Sequence, residues 1–239
     1  MSEFWNENLE IGYYDKIVKD GLVSKRGIQS FWHITTLNKV SYFIKKDILH
    51  LDYACGPGTL IGLFSEANST GVDLSENQII YANRNYANKG NFFSLDNFDL
   101  QEHNKEYEII TILGLIEFLN HDEIRDLINK LEKCLVDGGK IVLTTPNFGG
   151  FMRILEKLLN RFGSVDYSKE HINKFDTSSL KELNNTFINF EAEIIKFLNL
   201  SIFLSFFSHR LATFIEKIIA KFFNNYFGSL FTVILTKKG

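Results

Sequence analysis

The stretch Ile48-Leu49-His50-Leu51-Asp52-Tyr53-Ala54-Cys55-Gly56-Pro57-Gly58, followed by Thr59-Leu60-Ile61, decides the fold. Ile48, Leu49 and Leu51 form an apolar run that reads as a buried strand. The run ends in Asp52 and breaks into a Gly-Pro-Gly turn, after which a helix starts at Thr59. A strand, a tight glycine turn and a helix start make a cradle for a nucleotide-type ligand. Glycine is needed there because a residue without Cβ lets the backbone touch a ligand. The spacing is not that of a Gly-x-Gly-x-x-Gly dinucleotide fingerprint, since Ile61 stands where the third glycine belongs. A plain structural turn in some other α/β protein is the bland alternative.

Working outward, residues 3–20 and 28–46 read as two helices that precede this strand, separated by Gly21 and Gly27. Ile28, Phe31, Trp32, Val40 and Ile44 recur at helical spacing in the second. After the cradle, 59–67 is the first crossover helix and 69–73 the second strand. Asp73 lies 21 residues beyond Asp52, where a carboxylate can accept hydrogen bonds from both hydroxyls of a ribose. Ser75 and Gln78 have the spacing of a capping box, opening a helix that runs to about residue 88. Residues 91–95 read as the third strand and 107–113 as the fourth. A helix over 121–136 carries Ile124, Leu127, Ile128, Leu131 and Leu135 on one face, with Asn120 and Glu123 as a second capping pair. Residues 141–145 are the fifth strand, 187–196 the sixth and 230–236 the seventh.

Several of these segments match one family in register. Asp-Tyr-Ala-Cys-Gly-Pro-Gly (52–58) resembles the first motif of class I S-adenosylmethionine-dependent methyltransferases, with Ala54 at the first glycine. Gly-Val-Asp-Leu-Ser (71–75) is similar to the second motif. Tyr107-Glu108 and the apolar run after it resemble the family's Phe/Tyr-Asp strand, and Val136-Asp137-Gly138-Gly139-Lys140 its turn before strand five, with glycine as a helix C-cap and hairpin device. The resemblance covers roughly 48–147. It implies a doubly wound α/β fold with a mostly parallel seven-stranded, Rossmann-like sheet, whose seventh strand inserts antiparallel between the fifth and sixth. On that reading, residues 1–47 are a helical lid and 48–239 the methyltransferase domain, with helical insertions at about 149–162 and 203–225. The resemblance also implies S-adenosylmethionine as cofactor, held by Asp52, Ala54, Cys55, Gly56, Gly58, Asp73, Leu74, Asp96, Asn97 and Leu113. Asp96 takes the adenine amino group, with Asp99 as competitor. Tyr13, Tyr14, Trp32 and His33 are lid candidates, or else aromatic anchors of helices packed on the sheet.

The family loop after strand four often ends in Glu-His. Here Glu117 keeps its place, in a structural or a catalytic role, and Phe118 replaces the histidine. The base candidate is therefore His171, in the loop after strand five at the carboxyl end of the sheet, where ligands bind in open α/β folds. His33 and His121 are weaker candidates, and a helix-capping role is the alternative for His171. Cys55 and Cys134 lie far apart, so reduced thiols are expected, and no His/Cys/Asp cluster has metal spacing.

The 239 residues are 45% hydrophobic and 14% aromatic, which suits one domain with a sizeable core and excludes a disordered class. The net charge of −3 is uneven: residues 146–239 hold twelve Lys/Arg against eight Asp/Glu, while 1–145 hold fourteen against twenty-one. That distribution argues against a strong nucleic-acid binder. No signal-peptide pattern opens the chain, and no apolar run reaches the roughly 18–20 residues that span a bilayer. A cytoplasmic protein is expected, with peripheral contact at the inner membrane surface as an option. That option rests on helices 149–162 and 203–225. In the second, Phe207, Leu211, Phe214, Ile218 and Phe222 line one side as an apolar stripe, and Arg210, Lys217 and Lys221 line the other as a basic one. A helix covering a sheet edge or a dimer contact fits the same pattern.

Function follows in three classes. The first is O-methylation of a small-molecule, sugar, quinone-like or lipid-linked acceptor, because ubiquinone-type O-methyltransferases are most similar in layout. The second is a protein or nucleic-acid methyltransferase, against which strand four lacks an Asn/Asp-Pro-Pro-aromatic motif. The third is a non-catalytic cofactor-binding scaffold.

Overall fold

The computed structural model describes residues 10–150, 152, 156, 171–223, 225 and 228–239. Seven strands form one sheet: β1 Leu49–Tyr53, β2 Asn68–Asp73, β3 Gly90–Ser94, β4 Tyr107–Leu113, β5 Leu135–Pro146, β6 Phe190–Phe197 and β7 Leu230–Lys237. Their spatial order is β3-β2-β1-β4-β5-β7-β6. The first five pair in parallel, and β7 runs antiparallel to both β5 and β6. The expected topology is therefore the observed one, including the inserted seventh strand.

Among the described residues the helices are α1 Tyr13–Ser24, α2 Ile28–Ser41, α3 Thr59–Phe64, α4 Glu76–Tyr86, α5 His121–Cys134, α6 Thr177–Asn184 and α7 His209–Phe223. Both faces of the sheet are covered, which is why β4 reads as an unbroken apolar run. Alternate residues go to opposite faces. Ile110 and Ile112 of β4 and Ile141 and Leu143 of β5 pack with Ile124, Ile128 and Leu131 of α5. Ile109 and Val142 point the other way, to Val18 of α1 and Leu37 and Val40 of α2. The two N-terminal helices thus share a core with the central strands. Among the described residues the first helix runs from Tyr13 to Ser24, through Gly21; the expected helical residues 3–9 lie outside the described residues.

Two local expectations are corrected. β5 begins at Leu135, six residues before the expected 141, and α5 stops at Cys134. Leu135 is fully buried and pairs with Tyr107, so the chain turns extended at once. The register then shifts before Ile109 meets Lys140, and Gly138 takes φ +76° in between. Gly138-Gly139 therefore belong to a bulge within β5, not to a helix cap. Ser75 occupies the N-cap of α4 but its side chain makes no capping bond. Gln78 is drawn elsewhere: its Oε1 accepts the Gly12 backbone N–H at 3.0 Å. The Asn120–Glu123 box is present in full.

The expected insertion at 149–162 falls mostly outside the described residues; Met152 and Glu156 are described, and both are helical and buried. The one at 203–225 resolves into a 3-10 segment, Leu200–Phe206, and α7. Arg210, Lys217 and Lys221 do not face away from the apolar stripe; both rows are exposed on the same side of α7.

Candidate active site

A cavity of about 650 Å³ opens at the carboxyl ends of β1, β2, β4 and β5, within the range of small-ligand sites. The β1–α3 turn forms its floor. Ala54, Gly56 and Gly58 all have positive φ, at +63°, +53° and +74°. Only this succession of left-handed residues turns the chain sharply enough to begin α3 at Thr59. Ala54 therefore sits strained where a glycine would not be. A Cβ at Gly56 would meet nothing within 4 Å, so the backbone there is open for a ligand to approach. Gly58 serves differently from the expectation. It does not line the cavity, and a Cβ on it would lie 2.7 Å from the Phe92 ring and 3.0 Å from Ala82 Cβ. Its missing side chain lets the turn pack against β3 and α4.

Of the residues expected to hold the cofactor, Asp52, Ala54, Cys55, Gly56, Asp73, Leu74 and Leu113 line the cavity. Asp73 fixes the turn: its Oδ2 accepts the Gly56 N–H at 2.7 Å and its Oδ1 the Ser75 N–H at 2.8 Å. Each carboxylate oxygen has a second acceptor direction, so two ribose hydroxyls can still be received. Burial raises the Asp73 carboxyl from its ordinary value, against the pull of those amides. Asp96 and Asn97 do not join the wall. β3 ends at Ser94, and a 3-10 turn over Leu95–Asn97 leaves Leu95 in the wall and the next two residues exposed. The Asn97 amide donates to Ser94 Oγ at 2.8 Å. Asp99 caps the following turn by accepting the Gln101 N–H.

Asp52 ends a buried polar chain that the sequence did not signal. Thr111 Oγ1 donates to Asp52 Oδ1 at 2.6 Å, His50 Nε2 lies 2.9 Å from Thr111 Oγ1, and His50 Nδ1 lies 2.9 Å from Ser69 Oγ. Because the Thr111 hydrogen goes to the carboxylate, Thr111 accepts from Nε2–H, and Nδ1 accepts from Ser69. Burial pushes Asp52 up to about 7, with the nearby Asp73 charge adding to the shift and the Thr111 bond opposing it. Burial pushes His50 down to about 3. The single clue was a histidine within an otherwise apolar strand.

The remaining wall comes from three places. Tyr14, Trp32 and His33 reach it from α1 and α2, whereas Tyr13 stays out of the wall and accepts from the amide of Gln29, which lines it. Enclosure pushes the His33 imidazole down to about 4. Glu117 is buried in the wall, accepts from Thr145 Oγ1 at 3.2 Å, and is pushed up to about 7 by its burial. His171 also lines the cavity. Its Nδ1 lies 3.0 Å from Glu156 Oε1, and Lys174 Nζ lies 3.4 Å from Glu156 Oε2. The rings of Phe118 and Phe148 pack 5.0 and 5.6 Å from it. His121 is exposed, stacks on Phe175, and stays out of the wall. Among the described residues no cluster of His, Cys, Asp or Glu is arranged for a metal ion.

Asp15 is the other residue that no local pattern announced. It is fully buried and gathers four donors: Thr59 Oγ1, Tyr86 OH, Tyr81 OH and Lys19 Nζ at 3.1, 2.5, 2.8 and 2.8 Å. It ties α1 to the first residue of α3 and to α4, and so holds the Tyr14 wall over the glycine turn.

A glycine turn at the end of β1, a carboxylate at the end of β2 and this strand order define the Rossmann-like, class I S-adenosylmethionine-dependent methyltransferase fold. The chain belongs to the family described as a methyltransferase domain, whose model matches residues 31–192. Among solved structures it is similar to a SAM-dependent methyltransferase from Archaeoglobus fulgidus, at 19% identity and a TM-score of 0.63, over 94% of this chain and 100% of that one. It is also similar to magnesium protoporphyrin IX methyltransferase from Synechocystis PCC 6803 with bound SAH, at 14% identity and a TM-score of 0.64, over 99% and 98%. The plantazolicin methyltransferase, solved with SAH, aligns at 21% identity and a TM-score of 0.59, over 100% and 94%. No curated protein matches the chain.

The cavity suits the S-adenosylmethionine cofactor of this class. Three buried or half-buried carboxyl groups, Asp52, Asp73 and Glu117, line it and would complement the sulfonium and ammonium groups that such a donor carries. The open backbone at Gly56 admits close approach, and Asp73 lines the cavity beside it.

Proposed function

We propose that the chain transfers a methyl group to an oxygen of a small-molecule or lipid-linked acceptor. The observation that carries this reading is His171, which lies in the same cavity wall as Asp52 and Asp73 and is held from behind by Glu156. The bound cofactor supplies an electrophilic methyl on a cationic sulfur. The chain's own part is to position the acceptor and to take a proton from it.

An ionised carboxylate only accepts, so His171 donates from Nδ1 to Glu156, and Nε2 is then the basic nitrogen of the ring. Lys174 holds the carboxylate from its other oxygen. The Phe118 and Phe148 rings restrict the imidazole to that orientation. Glu117, pushed up to about 7 by its burial, lies in the same wall and, once ionised beside the cationic donor, can accept a hydrogen bond from the acceptor hydroxyl. Trp32, Tyr14, Met152 and Leu230 add an apolar stretch to the wall, which favours an aromatic or long-chain acceptor body.

The test is methyl transfer from radiolabelled S-adenosylmethionine into fractionated cell extract. Label is expected in an organic-soluble or small-molecule fraction, and His171→Ala should lower the rate by about 10²–10⁴-fold while leaving cofactor affinity unchanged. Label only in protein or nucleic acid refutes the acceptor class. An unchanged rate in His171→Ala removes the base.

A further inference from the structure

α7 turns its apolar side outward. Only His209 and Ala212 are buried along its fifteen residues. Phe207, Phe214 and Phe222 are 73%, 61% and 72% exposed, and Leu211 and Ile218 continue the same row. This is a contiguous row on one helix face, unlike the scattered single apolar residues of an ordinary surface.

Charge decides what such a row fits. Arg210, Lys217 and Lys221 are exposed beside it. The helix has one acid, Glu216, and it is turned inward, accepting from the backbone and side-chain amides of Asn199 and from Ser201. The exposed side of α7 therefore presents three cations and no anion. The backbone N–H of His209 donates to Lys25 O at 2.8 Å, which brings Lys25, Arg26 and the exposed Val23 of the α1–α2 junction against the start of α7. An apolar row rimmed by cations is complementary to a surface with an apolar interior and anionic headgroups. A second copy of the chain would bring the same cations together on docking.

The row is also joined to the cavity. The Gly27 N–H donates to Ser205 O at 2.7 Å, and His209 Nε2 lies 3.1 Å from Gly27 O. Gly27 is the N-cap of α2, and α2 lines the cavity with Ile28, Gln29, Trp32 and His33.

We propose that α7, with Phe206 and Phe207 before it, lies on an anionic lipid surface and holds the α2 wall of the cavity against it. This deepens the reading of a lipid-linked acceptor, but its test uses neither cofactor nor acceptor, so each can fail alone.

The experiment is flotation of the full chain with phosphatidylcholine vesicles containing or lacking phosphatidylglycerol. Binding is expected only with the anionic lipid at low salt, and high salt should reverse it. Lys217→Gln with Lys221→Gln should weaken partitioning roughly 25-fold, at about fivefold for each cation near the surface. Phe214→Ser with Phe222→Ser should abolish it; these side chains are exposed, so circular dichroism should be unchanged. Absence of wild-type binding, equal binding to both vesicles, or an unaffected lysine variant overturns the proposal. So does a dimer in sedimentation that Phe214→Ser dissociates, which would assign the row to a second copy.

Discussion

Replacing Asp15 by alanine should unfold the protein at a markedly lower temperature. The carboxylate is fully buried, and its removal leaves the Thr59 and Tyr86 hydroxyls, both in buried residues, without their acceptor. Each orphaned buried group costs about 1–3 kcal/mol. Tyr81 is only half-buried and Lys19 is exposed, so water can replace their bonds. Part of the loss is offset, because a buried charge no longer has to be desolvated. About 3 kcal/mol is a fair net figure, which for a chain of this size lowers Tm by roughly 6–12 °C. Thermal unfolding followed by circular dichroism, with urea titration as a check, measures it. Asp15→Asn should lose less, since an amide keeps one acceptor oxygen. Lys19→Ala should be nearly silent. A loss below about 1 kcal/mol for Asp15→Ala, or an equal loss for Lys19→Ala, would refute the argument that orphaned hydroxyls set the cost.

Four further outcomes are expected. Ala54→Gly should stabilise the protein by about 1 kcal/mol in urea titration, because the left-handed conformation strains an L-residue. Asp73→Ala should weaken S-adenosylmethionine binding by roughly 1–3 kcal/mol in calorimetry, through both the ribose and the Gly56 amide that Asp73 holds. Glu117 is pushed above its unfolded value to about 7, so its contribution to stability is present in acid and lost as pH rises through 7. Glu117→Gln should therefore gain in urea midpoint relative to wild type between pH 5 and pH 8, by up to roughly 1–3 kcal/mol. Binding of the cationic cofactor favours the ionised forms of Asp52 and Glu117, so affinity by calorimetry should rise with pH across neutrality, with proton release.

Local chemistry was legible in the sequence. The glycine turn, Asp73, the five parallel strands and the late antiparallel strand each rest on neighbouring residues or on a motif in register. What was hidden depends on distance along the chain. Gln78 has the spacing of a cap yet bonds Gly12, 66 residues away. Asp15 gathers hydroxyls from positions 59, 81 and 86, and nothing in Tyr-Asp-Lys announces that. The Ser69–His50–Thr111–Asp52 chain runs across three neighbouring strands, so it appears only once their register is known. Gly58 looked like part of the ligand turn because it stands beside Gly56, but Phe92 fills the space next to it. Asp96 was placed by family analogy; β3 lies one residue earlier than read, ending at Ser94, and Asp96 falls in the exposed turn after it, outside the cavity wall.

The position of β7 bears on how the sheet is completed. β6 pairs with β7 alone, so residues 190–197 have no template until 230–237 arrive. Until then the outer margin of β5 presents unsatisfied amides and carbonyls flanked by apolar side chains. Synthesis thus leaves a sticky, half-built layer from the end of β5 at Pro146 until β7 is made, some ninety residues later, and premature termination in that interval would yield a species prone to self-association rather than a smaller working enzyme.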